Sequence, residues 1–225
     1  MRQGYSKGEV IDYIWQYSRY HANLLIYCEE IAQKECGQGY ASLIYLFSLA
    51  ENIFKSKVED YDSGFKNVLK KLKQKKCISD KEYDFLNNEE TGIRRIRNLL
   101  AHANLSKYNI LFLSEDKNLL YPLTEDETCN KLYNLFSDIL FNLMLKCIST
   151  DLIVPISINL DELIDNIHIQ IKEISAEKLL EYKGIDYQDI IGWSDLAEVN
   201  RYRLAENSQN VSVLTEIFKN LIKSE

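Results

Sequence analysis

The chain is poor in residues that interrupt or staple a fold, with two prolines and eight glycines among 225 residues. That scarcity excludes a collagen-like rod, a low-complexity tail and a turn-rich sandwich, and leaves room for long unbroken helices. Its five cysteines, Cys28, Cys36, Cys77, Cys129 and Cys147, are odd in number, irregularly spaced and without a C-x-x-C pair to hold zinc. Reduced thiols are expected. No H-E-x-x-H helix, glycine-rich phosphate loop or nucleophile elbow is present. The N-terminal MRQGYSKGEV lacks the apolar core of a secretory signal, and no apolar run approaches a membrane span. A cytoplasmic protein with no metal, no cofactor and no membrane contact is the expectation.

What is there suffices for a full core: 46% of residues are hydrophobic and 27% charged. Acidic residues outnumber basic ones by 34 to 27, a net charge of −7, which excludes a nucleic-acid binder that uses its whole surface. Any RNA contact has to be local.

Apolar spacing predicts a mainly all-α, up-and-down helical bundle over residues 1–150, with a C-terminal appendage of unknown role over 151–225. One long amphipathic helix is expected from Val10 to Ala32, ended by Gly37 and Gly39, and a second from Tyr40 to Val58. A short basic helix follows over 62–76, then one opened by a Ser79–Glu82 capping box, then one from Thr91 to Ser106. Residues 109–123 read as a small β-hairpin insertion around the polar Ser114–Asn118. A Thr124–Glu127 capping box precedes a long helix to Cys147. Leu160 to Ile174 fits a helix capped by Asn159, although Ile167, Ile169 and Ile171 also alternate as in a strand; helix is the favoured reading. Short helices are expected over 175–183, stopped by Gly184, and over 211–222, so the C-terminal segment is helical or mixed.

One constellation carries chemistry. In TGIRRIRNLLAHANL, Arg97 is followed at once by Asn98 and five residues on by His102. Some Arg-x4–6-His match arises by chance in about a quarter of such chains, and the adjoining Asn cuts this to about 2%. At about 100° per residue, Ile93, Ile96, Leu100 and Ala103 form the inward face and Arg94, Asn98 and His102 the opposite one, with Arg97 on the flank. An outward face that mixes apolar, cationic and imidazole groups is suited to an interface, most simply with a second copy of the chain.

The match R-N-L-L-A-H at 97–102 resembles the HEPN family, whose members carry an Arg-polar-x-x-x-His signature in a late helix of an up-and-down bundle and are often metal-independent ribonucleases. The resemblance covers roughly residues 8–148 and leaves out the C-terminal third. It implies a homodimer whose cleft cuts RNA, with Arg97, Asn98 and His102 as site residues, in a toxin or phage-defence setting where an antitoxin or defence-complex protein is a further partner. Some members place an acidic residue on the second helix, which by resemblance assigns Glu51.

The side chains suit that chemistry on their own. Attack of an RNA 2′-hydroxyl on the adjacent phosphorus needs a base, an acid and positive charge, and no metal. Histidine moves protons near neutrality and arginine forks onto phosphate oxygens. Glu51 sits between Phe47 and Phe54 on an apolar stripe and wants a cation, unless it lies at the stripe edge and reaches water. Lys70, Lys71 and Lys73 belong to a run of six lysines over 66–76 that, with Arg94 and Arg95, could track phosphates; a solvated helix face is the commoner role of such a run. His21 reads as a core or interface histidine, and His168 as a surface one. The tyrosines of the first helix, Tyr13, Tyr17, Tyr20 and Tyr27, read as packing material. A catalytically silent binding or docking module of the same fold is the rival reading.

Overall fold

Two helices of 20 and 23 residues, Gly39–Val58 and Asp126–Ile148, carry much of the main apolar core. The computed structural model describes residues 2–34, 38–102, 104–113, 120–153 and 156–208. Ten α-helices and a three-stranded antiparallel sheet occur among them, so the fold is mainly α with a small β insertion. The N-terminal bundle comprises α1 (Lys7–Tyr17), α2 (Arg19–Ala32), α3 (Gly39–Val58), α4 (Phe65–Gln74), α5 (Asp80–Asn87) and α6 (Ile93–His102). Strands β1 (Tyr108–Phe112) and β2 (Leu120–Pro122) lead into α7 (Asp126–Ile148). Then come α8 (Asp161–Asp165), β3 (Ile169–Glu173), α9 (Ala176–Tyr182) and α10 (Glu198–Asn207). None of the helices among the described residues is long and apolar enough to cross a membrane.

Helices α3 and α7 pack on each other; α2 packs on α3, α1 on α7 and α2, α4 and α6 on α3, and α5 on α4 and α6. The core shared by α3 and α7 buries Leu43, Phe47, Phe54, Phe136, Leu140 and Met144. Each such side chain is worth about 1.5–3 kcal/mol relative to exposure. Gly39 is not a terminator, as its sequence setting suggested, but the first residue of α3. A β-carbon there would lie 2.1 Å from the Asp126 carbonyl oxygen, so glycine permits the close approach of α3 to α7. The Asp126 carboxylate accepts from the N–H groups of Gly39 (2.8 Å) and Tyr40 (2.9 Å), capping α3 from across the bundle. Gln38, the residue before α3, makes no side-chain cap of its own.

Three expectations fail locally. The single helix over 10–32 is two helices, because Ser18 is extended (φ −156°) and its hydroxyl accepts from the His21 N–H, ending α1 and starting α2. A serine that bonds its own backbone neighbours offers the chain an alternative to the helical ladder. The Thr124 capping box does not form; Glu125 precedes α7 and makes no side-chain cap. The helix over 160–174 stops at Asp165, and Ile169 and Ile171 instead pair with Phe112 and Ile110 of β1. The period-two alternation wins because β2 pairs with one side of β1 only, and β3 supplies backbone partners for the other, in the order β2-β1-β3. By contrast the Ser79–Glu82 capping box is complete in both directions, and Ser175 and Gly184 (φ +73°) bound α9. The hairpin over 109–123 pairs Asn109 with Pro122 and Leu111 with Leu120. Its turn at Ser114–Asn118 and the helix expected over 211–222 fall outside the described residues.

The main core runs past residue 150 through Leu152, Ile158, Leu160 and Ile169. A second, smaller cluster joins Ala176, Leu180, Trp193, Tyr202 and Leu204. It is tied to the sheet by the Tyr202 hydroxyl, which donates to the Ile174 carbonyl at 2.9 Å, and by a Lys107–Glu198 ion pair.

Candidate active site

Helix α6 is placed by the turn before it. The Asn88 side-chain oxygen accepts from the N–H groups of Glu90 (2.8 Å) and Thr91 (3.1 Å), and Gly92 passes so near Asn88 that a β-carbon would meet its backbone at 2.6 Å. From there Ile93, Ile96 and Leu99 turn inward. Leu100, expected on that face, is only half-buried, and Ala103 lies outside the described residues. With the inward direction set by Ile96, Asn98 and Arg94 point outward and Arg97 and Arg95 leave on opposite flanks.

That geometry sorts the candidates. Arg97 swings toward α3, where its Nη2 donates to Glu51 Oε2 at 2.7 Å and its Nη1 to the Asn98 side-chain oxygen at 3.2 Å. The Glu51 side chain is 12% exposed and also pairs with Lys55 at 3.1 Å, whereas Arg97 is 36% exposed. A nearly buried carboxylate thus fixes a guanidinium that still reaches solvent. Lys55 was not singled out from sequence, although a Glu51–Lys55 spacing of four is the ordinary signature of such a pair. Asn98 is engaged with Arg97, not with His102. His102 ends α6, exposed and without a hydrogen bond or ion pair among the described residues.

The remaining basic residues are held elsewhere. Arg94 donates from Nε to the Asn87 side chain at 2.8 Å and lies 3.5 Å from Glu89. Arg95, on the other flank, sits 5.6 Å from the Tyr108 ring. On α4, Lys70, Lys71 and Lys73 are exposed; Lys71 pairs with Asp60, and Lys73 pairs with Asp80 at 2.8 Å and lies over the Tyr83 ring. Asp80 raises the Lys73 ammonium above its usual range through their hydrogen bond. These contacts gather none of the five around Arg97.

Three large apolar side chains of α2 and α3 are exposed. Tyr20 and Tyr27 are 65% and 54% exposed, and Ile44 of α3 is 46% exposed. Tyr13 and Tyr17 are half-buried. On α2 the inward positions are His21, Ala22, Leu25 and Cys28, which turns Tyr20 and Tyr27 outward. His21 itself is buried, with Nε2 2.9 Å from the Asn52 side-chain oxygen. Among the described residues no three His, Cys, Asp or Glu side chains cluster as metal ligands.

No family model, no curated protein and no solved structure matches the chain.

Proposed function

We propose that the chain is a HEPN-type endoribonuclease that acts as a homodimer in the cytoplasm, as a toxin or anti-phage effector. The observation that carries this reading is the Glu51–Arg97–Asn98 chain of hydrogen bonds on the outward side of α3 and α6. A guanidinium held by a nearly buried carboxylate is oriented before substrate arrives, so its remaining N–H donors can meet the charge that develops on a five-coordinate phosphorus without reorganising. In the reaction the RNA 2′-oxygen bonds to phosphorus as the bond to the 5′-oxygen breaks. The products are a 2′,3′-cyclic phosphate and a 5′-hydroxyl. One proton leaves the 2′-hydroxyl and one joins the 5′-oxygen, and a single His102 cannot do both at once. A twofold mate supplies the second imidazole. The exposed Tyr20, Tyr27 and Ile44 give that mate an apolar surface to cover.

The test is RNA cleavage by purified protein with Arg97→Ala and His102→Ala alongside. Both variants should lose cleavage while keeping fold and dimer, and wild-type activity should survive EDTA. Full activity in both variants, or strict dependence on Mg²⁺, would sink the reading. A silent RNA-binding or partner-docking module is the second reading, favoured by one observation: nothing among the described residues hydrogen-bonds His102 to set its tautomer. Equal RNA binding by wild type and His102→Ala, with no cutting by either, would establish it.

A further inference from the structure

Where α3, α4 and α7 end, a cavity of about 720 Å³ opens that the cleavage reading does not use. The volume is that of a small-molecule site, about 300–1,000 Å³. Four lysines from three stretches of chain line it, Lys57, Lys75, Lys76 and Lys146, against two carboxylates, Glu59 and Asp151. That local excess of cations runs against the net charge of −7. Two of the four are engaged: Lys57 donates to Asp151 at 2.8 Å and to Thr150 at 2.9 Å, and Lys146 donates to Glu82 at 2.7 Å. Lys75 and Lys76 are exposed and have no ion pair among the described residues.

Backbone conformation singles out the same place. Among the described residues the only non-glycine ones with left-handed φ are Glu59 (56°) and Lys76 (57°), and both line this cavity. Each ends a helix: the Asp60 N–H returns to the Lys55 carbonyl at 3.1 Å beyond Glu59, and the Cys77 N–H to the Leu72 carbonyl at 2.9 Å beyond Lys76. Glycine fits such positions without steric cost, and strained exceptions gather where a side chain is needed. Lysines near helix C-termini also offset the dipole, which accounts for Lys57 and Lys146 but not for a lysine in place of glycine at position 76.

We propose that this cavity binds the phosphate group of a small phosphorylated molecule. Lys75 and Lys76 are the free cations that pair with its oxygens, Lys57 and Lys146 supply a fixed positive field, and Tyr17 and Ile158 form an apolar wall for the rest of the ligand. No residue is shared with the Arg97 site, so the two readings stand or fall separately.

Calorimetric titration of the full chain with inorganic pyrophosphate and with AMP tests this. Saturable binding with a Kd at or below about 1 mM is expected, weakened at least about tenfold by Lys75→Ala, by Lys76→Gly and by high salt. Lys76→Gly should also raise the melting temperature of the unliganded protein by relieving the left-handed strain, so lost binding there cannot be misfolding. Arg97→Ala should leave pyrophosphate affinity unchanged. The proposal is overturned by no saturable binding, by undiminished binding in both lysine variants, or by loss of binding in Arg97→Ala. Equally tight binding, through the same lysines, of an RNA oligonucleotide without a terminal phosphate would make the cavity part of an RNA track and overturn it too.

Discussion

Among the carboxylates drawn out of solvent, Glu51 and Glu82 each hold a cation at 2.7 Å, Arg97 and Lys146 respectively. Glu82 is fully buried and its other oxygen accepts from the Ser79 N–H, so both ends of the group are spent on joining α5 to α7. Glu51 holds a partner that is 36% exposed and whose remaining donors meet no acceptor among the described residues. The Glu82 pair ties helices together; the Glu51 pair presents a charge. Similar distances therefore carry opposite expectations, because what decides is whether the cation has hydrogen-bonding capacity left over and water, or a substrate, to spend it on.

Substituting Arg97 and Glu82 should separate the two pairs. If the proposed activity is right, Arg97→Ala lowers the RNA cleavage rate by about 10³-fold, about 4 kcal/mol in the barrier, while thermal unfolding shifts by less than about 1 kcal/mol, because the guanidinium is partly exposed and Lys55 stays paired with Glu51. Next in size, Glu82→Ala should destabilise the fold by about 3 kcal/mol in urea unfolding, since it strands Lys146 and removes half of a capping box. Cleavage per folded molecule should hold. Gly39→Ala should cost about 2 kcal/mol with no direct effect on the site, because its β-carbon meets the α7 backbone rather than a side chain that can move. A Glu82→Ala protein as stable as wild type, or an Arg97→Ala protein that unfolds, would reverse the assignment of the two pairs.

Much of this was legible in the residues, unevenly so. Helical periodicity places α3, α5, α6 and α7, and the Ser79–Glu82 spacing gives a cap that forms as read. The lone carboxylate on an apolar stripe, Glu51, announces a cationic partner, and Arg97 on the flank of α6 is close enough to be that partner. Other features depend on contacts distant in sequence and leave no local mark. Asp126 caps α3 from 87 residues away, which no capping pattern around Thr124 reveals. Ile169 and Ile171 become strand only because β1 offers an edge, and Ile167 and Ile171 fit the helical spacing of Leu160 to Ile174 as well as they fit the alternation. Ser18 breaks a helix whose apolar stripe continues on both sides, so periodicity alone passes over it. Left-handed Lys76 is invisible for the same reason: a lysine at a helix end is ordinary in sequence and unusual only in its φ.

The smallest effect expected is also the most local. Cys147 lies in the electrostatic reach of Glu82 and Lys146 and is fully buried, and burial pushes its thiol well above the ordinary range. Cys28 and Cys129 are raised by burial to about 11 and about 12. Since the thiolate is the reactive form, brief iodoacetamide treatment near pH 8 followed by peptide mass spectrometry should modify the partly exposed Cys77 and spare these three. Glu82→Ala should loosen the α5–α7 junction and bring Cys147 into the labelled set ahead of Cys28 and Cys129, a change of several-fold in its labelling rate. Arg97→Ala should leave the labelling pattern as it is in the wild type. If Cys147 is unaffected by loss of Glu82, the buried pair is not what closes that junction, and the division between a holding pair and a presenting pair loses its structural half.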